Sequence, residues 1–87
     1  GEDTRWIHHE PDGSLLVDGR IPVHSLNRRQ EWALPTDTAR TLSGLIVAEL
    51  EELPSEGDEL TIGEHRLRVE QVADNVVRKV RIARVAA

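Results

Sequence analysis

The sequence predicts an α+β domain in which an antiparallel sheet of about five strands carries two helices on one face, in the order β-β-α-α-β-β-β. Three observations lead to this fold. Short apolar segments bounded by turn residues lie towards both ends of the chain, as in antiparallel strands. A stretch with helical periodicity lies between them, and 87 residues hold material for one core only. We expect a single domain over residues 1–87, with residues 1–4 as linker or cloning residues, belonging to a longer protein.

The start of the chain encodes a strand pair and a short helix. Residues 5–8 are predicted to form the first strand and residues 14–17 the second, and a turn rich in Pro, Asp and Gly joins them as a hairpin. Pro22 suits the first position of a helix because it has no N–H to leave unpaired there. Val23 and Leu26, three positions apart, give that helix one apolar stripe.

A second helix is predicted after a loop that contains Pro35. Thr41 is a plausible N-cap, and Pro54 stops the helix. Gly44 in the first turn costs about 1 kcal/mol relative to Ala, so we expect it to allow close approach of the helix backbone to the sheet. The apolar face of this helix is predicted to comprise Leu42, Leu45, Ile46, Leu50 and Leu53.

Three further strands are expected in the last third of the chain. Residues 60–62 and residues 67–69 alternate apolar and polar side chains, and residues 76–85 form the last strand. The alternation slips at Val72 and again within residues 77–80. We therefore expect at least one β-bulge.

The charge distribution argues against nucleic-acid binding. The formal net charge is −5, and the chain has no Tyr or Phe on which bases would stack. Seven acids and no Lys or Arg lie in residues 41–65, whereas six basic residues and two acids lie in residues 66–87.

The composition also excludes two classes of structure. Without cysteine there are no disulfides or thiolate metal sites. The longest apolar run, residues 45–48, is too short to span a membrane.

Two clusters offer metal ligands. Adjacent His8 and His9, with Glu10 and Asp12, suit zinc or nickel, but neighbouring strand residues point to opposite faces, so the two imidazoles are not expected to share an ion. The acidic run offers the oxygen ligands that magnesium and calcium prefer, but it lacks the spacing of a calcium loop, and a charge run on a helix end and turn is usually a solvated face. The candidate cation ligands of that run are Glu49, Glu52, Glu56, Asp58 and Glu59.

The basic residues of the last two strands are the candidates for an interaction surface. We hypothesise that they contact a neighbouring domain or the acidic face of a second copy. These candidates are Arg66, Arg68, Arg78, Lys79, Arg81 and Arg84.

The remaining polar residues are predicted to have structural roles. Asp18 is predicted to stabilise the turn before the first helix, with its carboxylate accepting hydrogen bonds from backbone N–H groups. His24 and His65 are predicted to be surface or partly buried side chains. Ser14 and Ser25 have no nucleophile-elbow context, so no enzyme is predicted.

Seven short pieces occur in order along the chain. They are DGS at 12–14, VDG at 17–19, LN at 26–27, LP at 34–35, TLSGLI at 41–46, LP with GD within 53–58, and VRI at 80–82. Together they resemble the transporter-associated domain of the CorC/HlyC family, and the likeness covers nearly the whole chain. One departure lies at residues 51–54, where relatives often have a glycine near the helix end.

The resemblance implies a bacterial parent with a transmembrane domain, a pair of CBS domains and this module last, on the cytoplasmic side of the inner membrane. Such parents are hemolysin-like proteins or magnesium and cobalt efflux proteins. The module would then be a non-enzymatic regulator of ion transport, in contact with the CBS pair, the transmembrane domain or a second copy. No cofactor is expected.

The resemblance also implies a fold like part of a flavin-binding domain of the vanillyl-alcohol oxidase type. The alternative function is therefore a small-ligand receptor for a flavin such as FAD or for a divalent cation. Fold likeness is only an analogy here. The chain has no G-x-G-x-x-G phosphate loop and only two aromatic residues of the Trp, Tyr and Phe class.

Overall fold

The computed structural model describes residues 3–85 as three helices and five strands. The helices are α1 (Asp3–Trp6), α2 (Val23–Gln30) and α3 (Leu42–Leu50); the strands are β1 (Ile7–His9), β2 (Leu15–Asp18), β3 (Glu59–Ile62), β4 (His65–Ala73) and β5 (Val76–Arg84). The predicted fold class is confirmed: one antiparallel sheet carries α2 and α3. The single turn α1 is an addition to it.

The last strand lies in the middle of the sheet, whose order is β1-β2-β5-β4-β3 with every neighbour antiparallel. The register places apolar residues side by side on one face, and α2 and α3 bury that face. The buried apolar residues of the strands are Ile7, Leu15, Val17, Ile62, Leu67, Val69, Val77, Val80 and Ile82. Those of the two helices are Val23, Leu26, Leu42, Leu45 and Ile46. Each side chain of this kind contributes about 1.5–3 kcal/mol on burial.

The predicted first strand starts too early. Arg5 and Trp6 lie in α1, and β1 begins at Ile7, which pairs with Val17. Because β2 ends at Asp18, no strand remains opposite Arg5. Residues 1–2 of the predicted linker lie outside the described part of the chain, while residues 3–4 belong to α1.

The helix ends follow the predicted cap chemistry with one shift. Pro22 is the N-cap of α2, with ψ of 134°, and lies one position before the predicted one. The Thr41 hydroxyl accepts the Gly44 N–H at 3.2 Å, which confirms the predicted cap of α3. Helices α2 and α3 are each followed by a glutamate in the left-handed region, Glu31 with φ of 59° and Glu51 with φ of 60°. Glu51 therefore occupies the conformation that a glycine adopts most easily.

Two details of the predicted second helix are wrong. Helix α3 ends before Leu53, which is 42% exposed. A Cβ on Gly44 would meet the Cβ of Ala39 at 3.0 Å, so Gly44 accommodates the preceding loop and not the sheet. The close approach to the sheet occurs at Gly19, where an added Cβ would overlap the backbone carbonyl of Val77.

A short hydrogen-bond network joins α3 to the centre of the sheet. The Ser43 N–H donates to the Gly19 carbonyl at 2.7 Å, and the Ser43 hydroxyl accepts the Val77 N–H at 2.9 Å. The Gly19 N–H donates to the Arg78 carbonyl at 3.0 Å. The first turn of a helix has backbone N–H groups without intrahelical partners, and here one of them fixes α3 to the end of β2.

The predicted irregularity in the last hairpin is confirmed as two bulges. In the register of β4 and β5, Glu70 is an extra residue on β4 and Arg78 is an extra residue on β5. Each bulge shifts the pairing by one residue in the opposite sense. The second bulge therefore restores the register that the first one shifts.

Candidate functional site

The sheet face opposite α2 and α3, called the open face below, gathers four of the six basic candidates. Arg66 and Arg68 on β4 and Lys79 and Arg81 on β5 alternate with buried residues, so their side chains project from this face. Arg81 is half-buried and the other three are exposed. The open face thus carries the largest part of the predicted interaction surface.

The other two basic candidates lie apart from this group. Arg78 lies at the bulge of β5, and its guanidinium pairs with the Asp74 carboxylate at 3.2 Å. Arg84 pairs with Glu64 at 3.4 Å at the end of β5. Arg84 also pairs in register with the buried His65, so it belongs to the margin of the helix-covered face.

Arg81 is the centre of a polar network on the open face. Its guanidinium lies 3.4 Å from a Glu10 carboxylate oxygen and 3.4 Å from a Glu70 carboxylate oxygen. It also donates to the Ser14 hydroxyl at 3.1 Å, and this hydroxyl donates to Asp12 at 2.6 Å. The hydrogen bonds from Ser14 hold the pKa of Asp12 below its usual value, and the Arg81 charge adds to the effect. The network ties the β1–β2 turn to β5 and β4.

The same network accounts for the DGS piece of the sequence. Asp12 accepts the Ser14 backbone N–H at 2.9 Å as well as the hydroxyl proton, which is the geometry of an Asx turn. Ser14 is buried, and its hydroxyl is engaged by Asp12 and Arg81. No histidine takes part in the hydrogen bonds of the Ser14 hydroxyl among residues 3–85.

Two of the predicted cation ligands are engaged in turn structure. The Glu56 carboxylate accepts the Val72 N–H at 2.9 Å. The Asp58 carboxylate accepts the Ser55 N–H at 2.9 Å and closes the turn that precedes β3. These two carboxylates therefore stabilise the loop that crosses the end of β4.

The remaining acidic candidates do not converge. Glu59 lies on β3 and pairs with Arg66 of the neighbouring strand at 3.3 Å, while Glu49 and Glu52 are exposed at the end of α3. Within residues 3–85 the structure brings no three His, Cys, Asp or Glu side chains into a group able to hold a metal ion. The five predicted ligands thus stay a prediction without a common site. The pair of Glu59 and Arg66 also shows that part of the acidic run meets the basic strands within one chain.

The two adjacent histidines behave as their strand positions predict. His8 pairs in register with Leu16, and His9 pairs with the buried Leu15, so their side chains lie on opposite faces of the sheet. His8 therefore belongs to the open face, close to Glu10. No shared metal position arises from this pair.

His65 is buried, so its prediction as a surface or partly buried side chain is wrong. It is 6% exposed, and its ring lies over Trp32 with a centroid distance of 4.2 Å. Among the described residues its Nε2 atom has no hydrogen-bond partner. Burial lowers the pKa of His65, and the nearby Arg84 lowers it further. The alternation of β4 could have predicted this burial, since His65 lies two positions before Leu67 and therefore on the same buried face of the strand.

A cleft of about 560 Å³ lies between the start of α2 and the loop at residues 36–40. It is lined by short polar side chains, by His24 and by Arg40, and neither tryptophan lines it. Small-molecule sites are lined predominantly by hydrophobic and aromatic side chains, and aromatic side chains offer the stacking surface that suits a flat flavin ring. The predicted flavin site therefore gains no support from this cleft.

None of the helices within residues 3–85 has the length and hydropathy of a membrane-spanning segment. A family model described as the transporter associated domain, CorC_HlyC, matches residues 8–86. The UPF0053 inner membrane protein YfjD of Escherichia coli K12 is 39% identical over 71 residues, which are 82% of this chain and 17% of that protein. The chain thus spans about a sixth of that relative.

Solved structures of similar domains share the fold. A functionally unknown conserved protein from Haemophilus influenzae is 33% identical with a TM-score of 0.87, over 91% of this chain and 98% of that one. A transporter associated domain from a CBS domain protein of Porphyromonas gingivalis is 25% identical, with a TM-score of 0.83 over 92% and 98%. A CorC_HlyC domain from a Xylella fastidiosa hemolysin, in complex with Mg²⁺ and Mn²⁺, is 20% identical, with a TM-score of 0.82 over 92% and 98%. The likeness to a flavin-binding domain stays a prediction.

Proposed function

Because this chain belongs to the CorC/HlyC family of transporter associated domains, we propose that it is a non-enzymatic regulatory and interaction module of a membrane ion-transport protein. Two comparisons support this context. The E. coli relative is an inner membrane protein of which this chain matches 17%. The P. gingivalis domain comes from a CBS domain protein. The proposed partners are therefore the CBS pair and the transmembrane domain of the parent, on the cytoplasmic side of the inner membrane.

The open face is the single structural observation that carries this proposal. The other side of the sheet is filled by α2 and α3, whereas the open face presents charged side chains held by Arg81 and its neighbours. A rigid charged surface favours one orientation of a partner because mismatched charges are repelled. A partner that binds this face in one state of the transporter shifts the equilibrium between transporter conformations.

The chemistry of the serine at the hairpin turn supports a binding role over catalysis. A serine nucleophile needs an adjacent base that takes its proton. The Ser14 hydroxyl instead donates to Asp12, whose pKa is lowered, and accepts from Arg81. A carboxylate with a lowered pKa is a poor base near neutral pH.

Deleting the domain from its parent tests the proposal. Ion flux and its response to regulatory ligands would be measured in membrane vesicles that contain the full-length protein or the protein without residues 12–87. We expect insertion into the membrane to be kept and regulation of the flux to be lost or altered. Unchanged flux together with unchanged regulation would refute the proposal.

A charge reversal on the open face gives a finer test. Arg68→Glu places a negative charge beside Glu70 on the open face, while Arg84→Glu makes the same charge change at the margin of the other face. We expect only Arg68→Glu to alter regulation of the full-length protein. Contact with a second copy is tested by measuring the mass in solution at low and high salt. Because salt screens a contact between charged faces, an oligomer held by such a contact should dissociate at high salt. Equal effects of both variants would place the contact elsewhere.

Binding of a divalent cation is the second candidate function, and one comparison favours it. The X. fastidiosa domain was solved with Mg²⁺ and Mn²⁺. A thermal unfolding series with each ion tests it, because a ligand at a hundred times its dissociation constant stabilises the folded state by about 2.7 kcal/mol. Glu59→Gln and Glu49→Gln would remove the response if the acidic run holds the ion. The absence of a shift at millimolar ion would exclude this function.

A further inference from the structure

A second cleft, called the α1 cleft below, lies on the open face where α1 meets β1, β2 and β5. Its volume is about 330 Å³, at the lower end of the usual range for small-molecule sites. Four of its lining residues matter most for its chemistry: Arg5, His8, Leu16 and Lys79. The charges in this cleft determine which class of ligand fits it.

The two carboxylates of the α1 cleft, Asp18 and Glu10, already pair with neighbouring guanidinium groups. Asp18 accepts two hydrogen bonds from the Arg20 side chain, at 2.9 and 2.7 Å. These bonds lower the pKa of Asp18, so it stays ionised and paired. Glu10 lies 3.4 Å from Arg81 in the network of the open face. Neither carboxylate is therefore left to hold a cation in the cleft.

The cationic groups of the α1 cleft have no such partners. Among the side chains that the structure describes, those of residues 5–85, neither Arg5 nor Lys79 forms an ion pair or a hydrogen bond, and both are exposed to solvent. Lys79 lies opposite Asp18 in the strand register, and His8 lies opposite Leu16, so both side chains project from the same face of the sheet as the half-buried Leu16. The cleft combines two unpaired positive charges, a third nitrogen donor and an apolar floor.

We propose that the α1 cleft binds a small phosphate monoester. Its phosphate dianion would match the charges of Arg5 and Lys79: the guanidinium fork suits two phosphate oxygens and the ammonium acts as a point charge. Its organic part would contact Leu16, and His8 would donate to a free phosphate oxygen. This proposal goes beyond the regulatory role proposed above, because it assigns a ligand class to the isolated domain, whose binding needs no other part of the parent protein.

Two sources supply this chemistry: a soluble phosphate monoester and the headgroup of an anionic lipid such as phosphatidic acid. The ligand class, a phosphate monoester, is common to both. The source is decided by measurement on the 87-residue chain.

The test titrates the chain with phenyl phosphate, which carries an apolar ring, and with inorganic phosphate and phenol as partial probes. Binding is followed by calorimetry and by amide chemical shifts of β1, β2 and β5. We expect phenyl phosphate to bind more tightly than either partial probe. Lys79→Gln and Arg5→Gln should each weaken the affinity about tenfold, since each removes one charge-assisted contact.

Arg84→Gln is the matched control, because it removes one positive charge at the margin of the other face. Vesicles of phosphatidylcholine with and without phosphatidic acid form the second arm. Sedimentation with the acidic vesicles that Lys79→Gln weakens and Arg84→Gln leaves unchanged assigns the lipid source. Binding of phenyl phosphate without vesicle binding assigns the soluble source. The proposal is overturned if the chain binds neither phenyl phosphate nor the acidic vesicles, or if Lys79→Gln and Arg84→Gln lose the same amount of affinity. These binding measurements do not involve ion transport. A negative result would therefore overturn the phosphate site without bearing on the regulatory role.

Discussion

The Ser43 hydroxyl accepts the backbone N–H of Val77 at 2.9 Å across 34 positions of sequence. This bond satisfies a buried donor of β5, and the backbone N–H of Ser43 satisfies the Gly19 carbonyl at the same point. The first turn of α3 is thereby fixed to the central strand β5 and to the end of β2.

Ser43→Ala should destabilise the domain by about 1–3 kcal/mol, because it leaves the buried Val77 N–H without an acceptor. Urea denaturation followed by circular dichroism measures this loss. Ser25→Ala on the half-buried side of α2 is the matched control and should change the free energy of unfolding much less. Equal effects would mean that the Ser43 hydroxyl does not stabilise β5.

Gly19→Ala should prevent normal folding, since its Cβ would overlap the Val77 carbonyl. Gly44→Ala is the comparison at a helix position. There the gain in helix propensity of about 1 kcal/mol opposes a contact of 3.0 Å with the Ala39 Cβ. We expect Gly44→Ala to stay within about 1 kcal/mol of the original chain. A Gly19→Ala chain with native stability would contradict the close approach.

Arg81→Met should cost about 1–3 kcal/mol, because it leaves Glu10 and Glu70 without their shared guanidinium in a half-buried setting. Arg66→Met is the control, since Arg66 is 63% exposed and has one ion pair. Exposed pairs contribute about 0–1 kcal/mol. Thermal unfolding at low and high salt measures both. A smaller loss in Arg81→Met than in Arg66→Met would refute the role of the network.

Stability should fall on acidification below pH 6.5 because of His65. Burial lowers its folded-state pKa from the ordinary 6.5, so the unfolded chain takes up a proton that the folded chain resists. The stability is complete above pH 6.5 and is lost as the pH falls from 6.5 towards the lowered folded-state pKa. The charged neighbours are Glu64, which opposes the shift, and Arg84, which increases it.

The measurement is the urea midpoint between pH 7 and pH 5. His65→Gln removes the group and should flatten this pH dependence, although it also loses the contact with Trp32. His24→Gln makes the same substitution at an exposed position of α2 and is the matched control. The lowered pKa values of Asp12 and Asp18 act below the ordinary carboxyl value of 3.8, outside this window. An unchanged slope in His65→Gln would show that another group titrates.

Glu51→Gly should stabilise the chain by up to about 1 kcal/mol, since a left-handed conformation costs an L-residue roughly 1–2 kcal/mol and glycine returns part of this through its greater flexibility when unfolded. Glu52→Gly removes the same charge at a position whose φ is not positive and should destabilise slightly. Chemical denaturation of both variants measures the difference. A lower stability of Glu51→Gly than of Glu52→Gly would contradict the assignment of the helix end.

The sequence specified most of this fold through local rules. Thr41 as N-cap, Pro22 beside the start of α2 and the two-residue alternation of β4 and β5 all act over a few residues, and each is seen in the structure. The two bulges were also visible as a slip in alternation. These features are readable because their physical causes lie next to them in the chain.

What the sequence missed depends on contacts between distant residues. The strand propensity of Arg5 and Trp6 was overridden at the end of β2. Continuing the β1–β2 register would place Trp6 opposite Asp18, the last residue of β2, and would leave Arg5 without a partner. The acidic run looked like one surface, but Glu56 and Glu59 each bond to β4. Such pairings follow from strand order, which the pattern of apolar residues does not determine.

Placement of β5 between β2 and β4 also has a consequence for biosynthesis. A nascent chain that has not yet extended past residue 76 contains β1 with β2 and β3 with β4 as two separate hairpins, and two-stranded hairpins are marginal in water. The sheet becomes continuous only when Val76–Arg84 leaves the ribosome. The domain is therefore expected to acquire its fold late and in one step, and chains interrupted before that strand should be substrates for proteases instead of shortened domains.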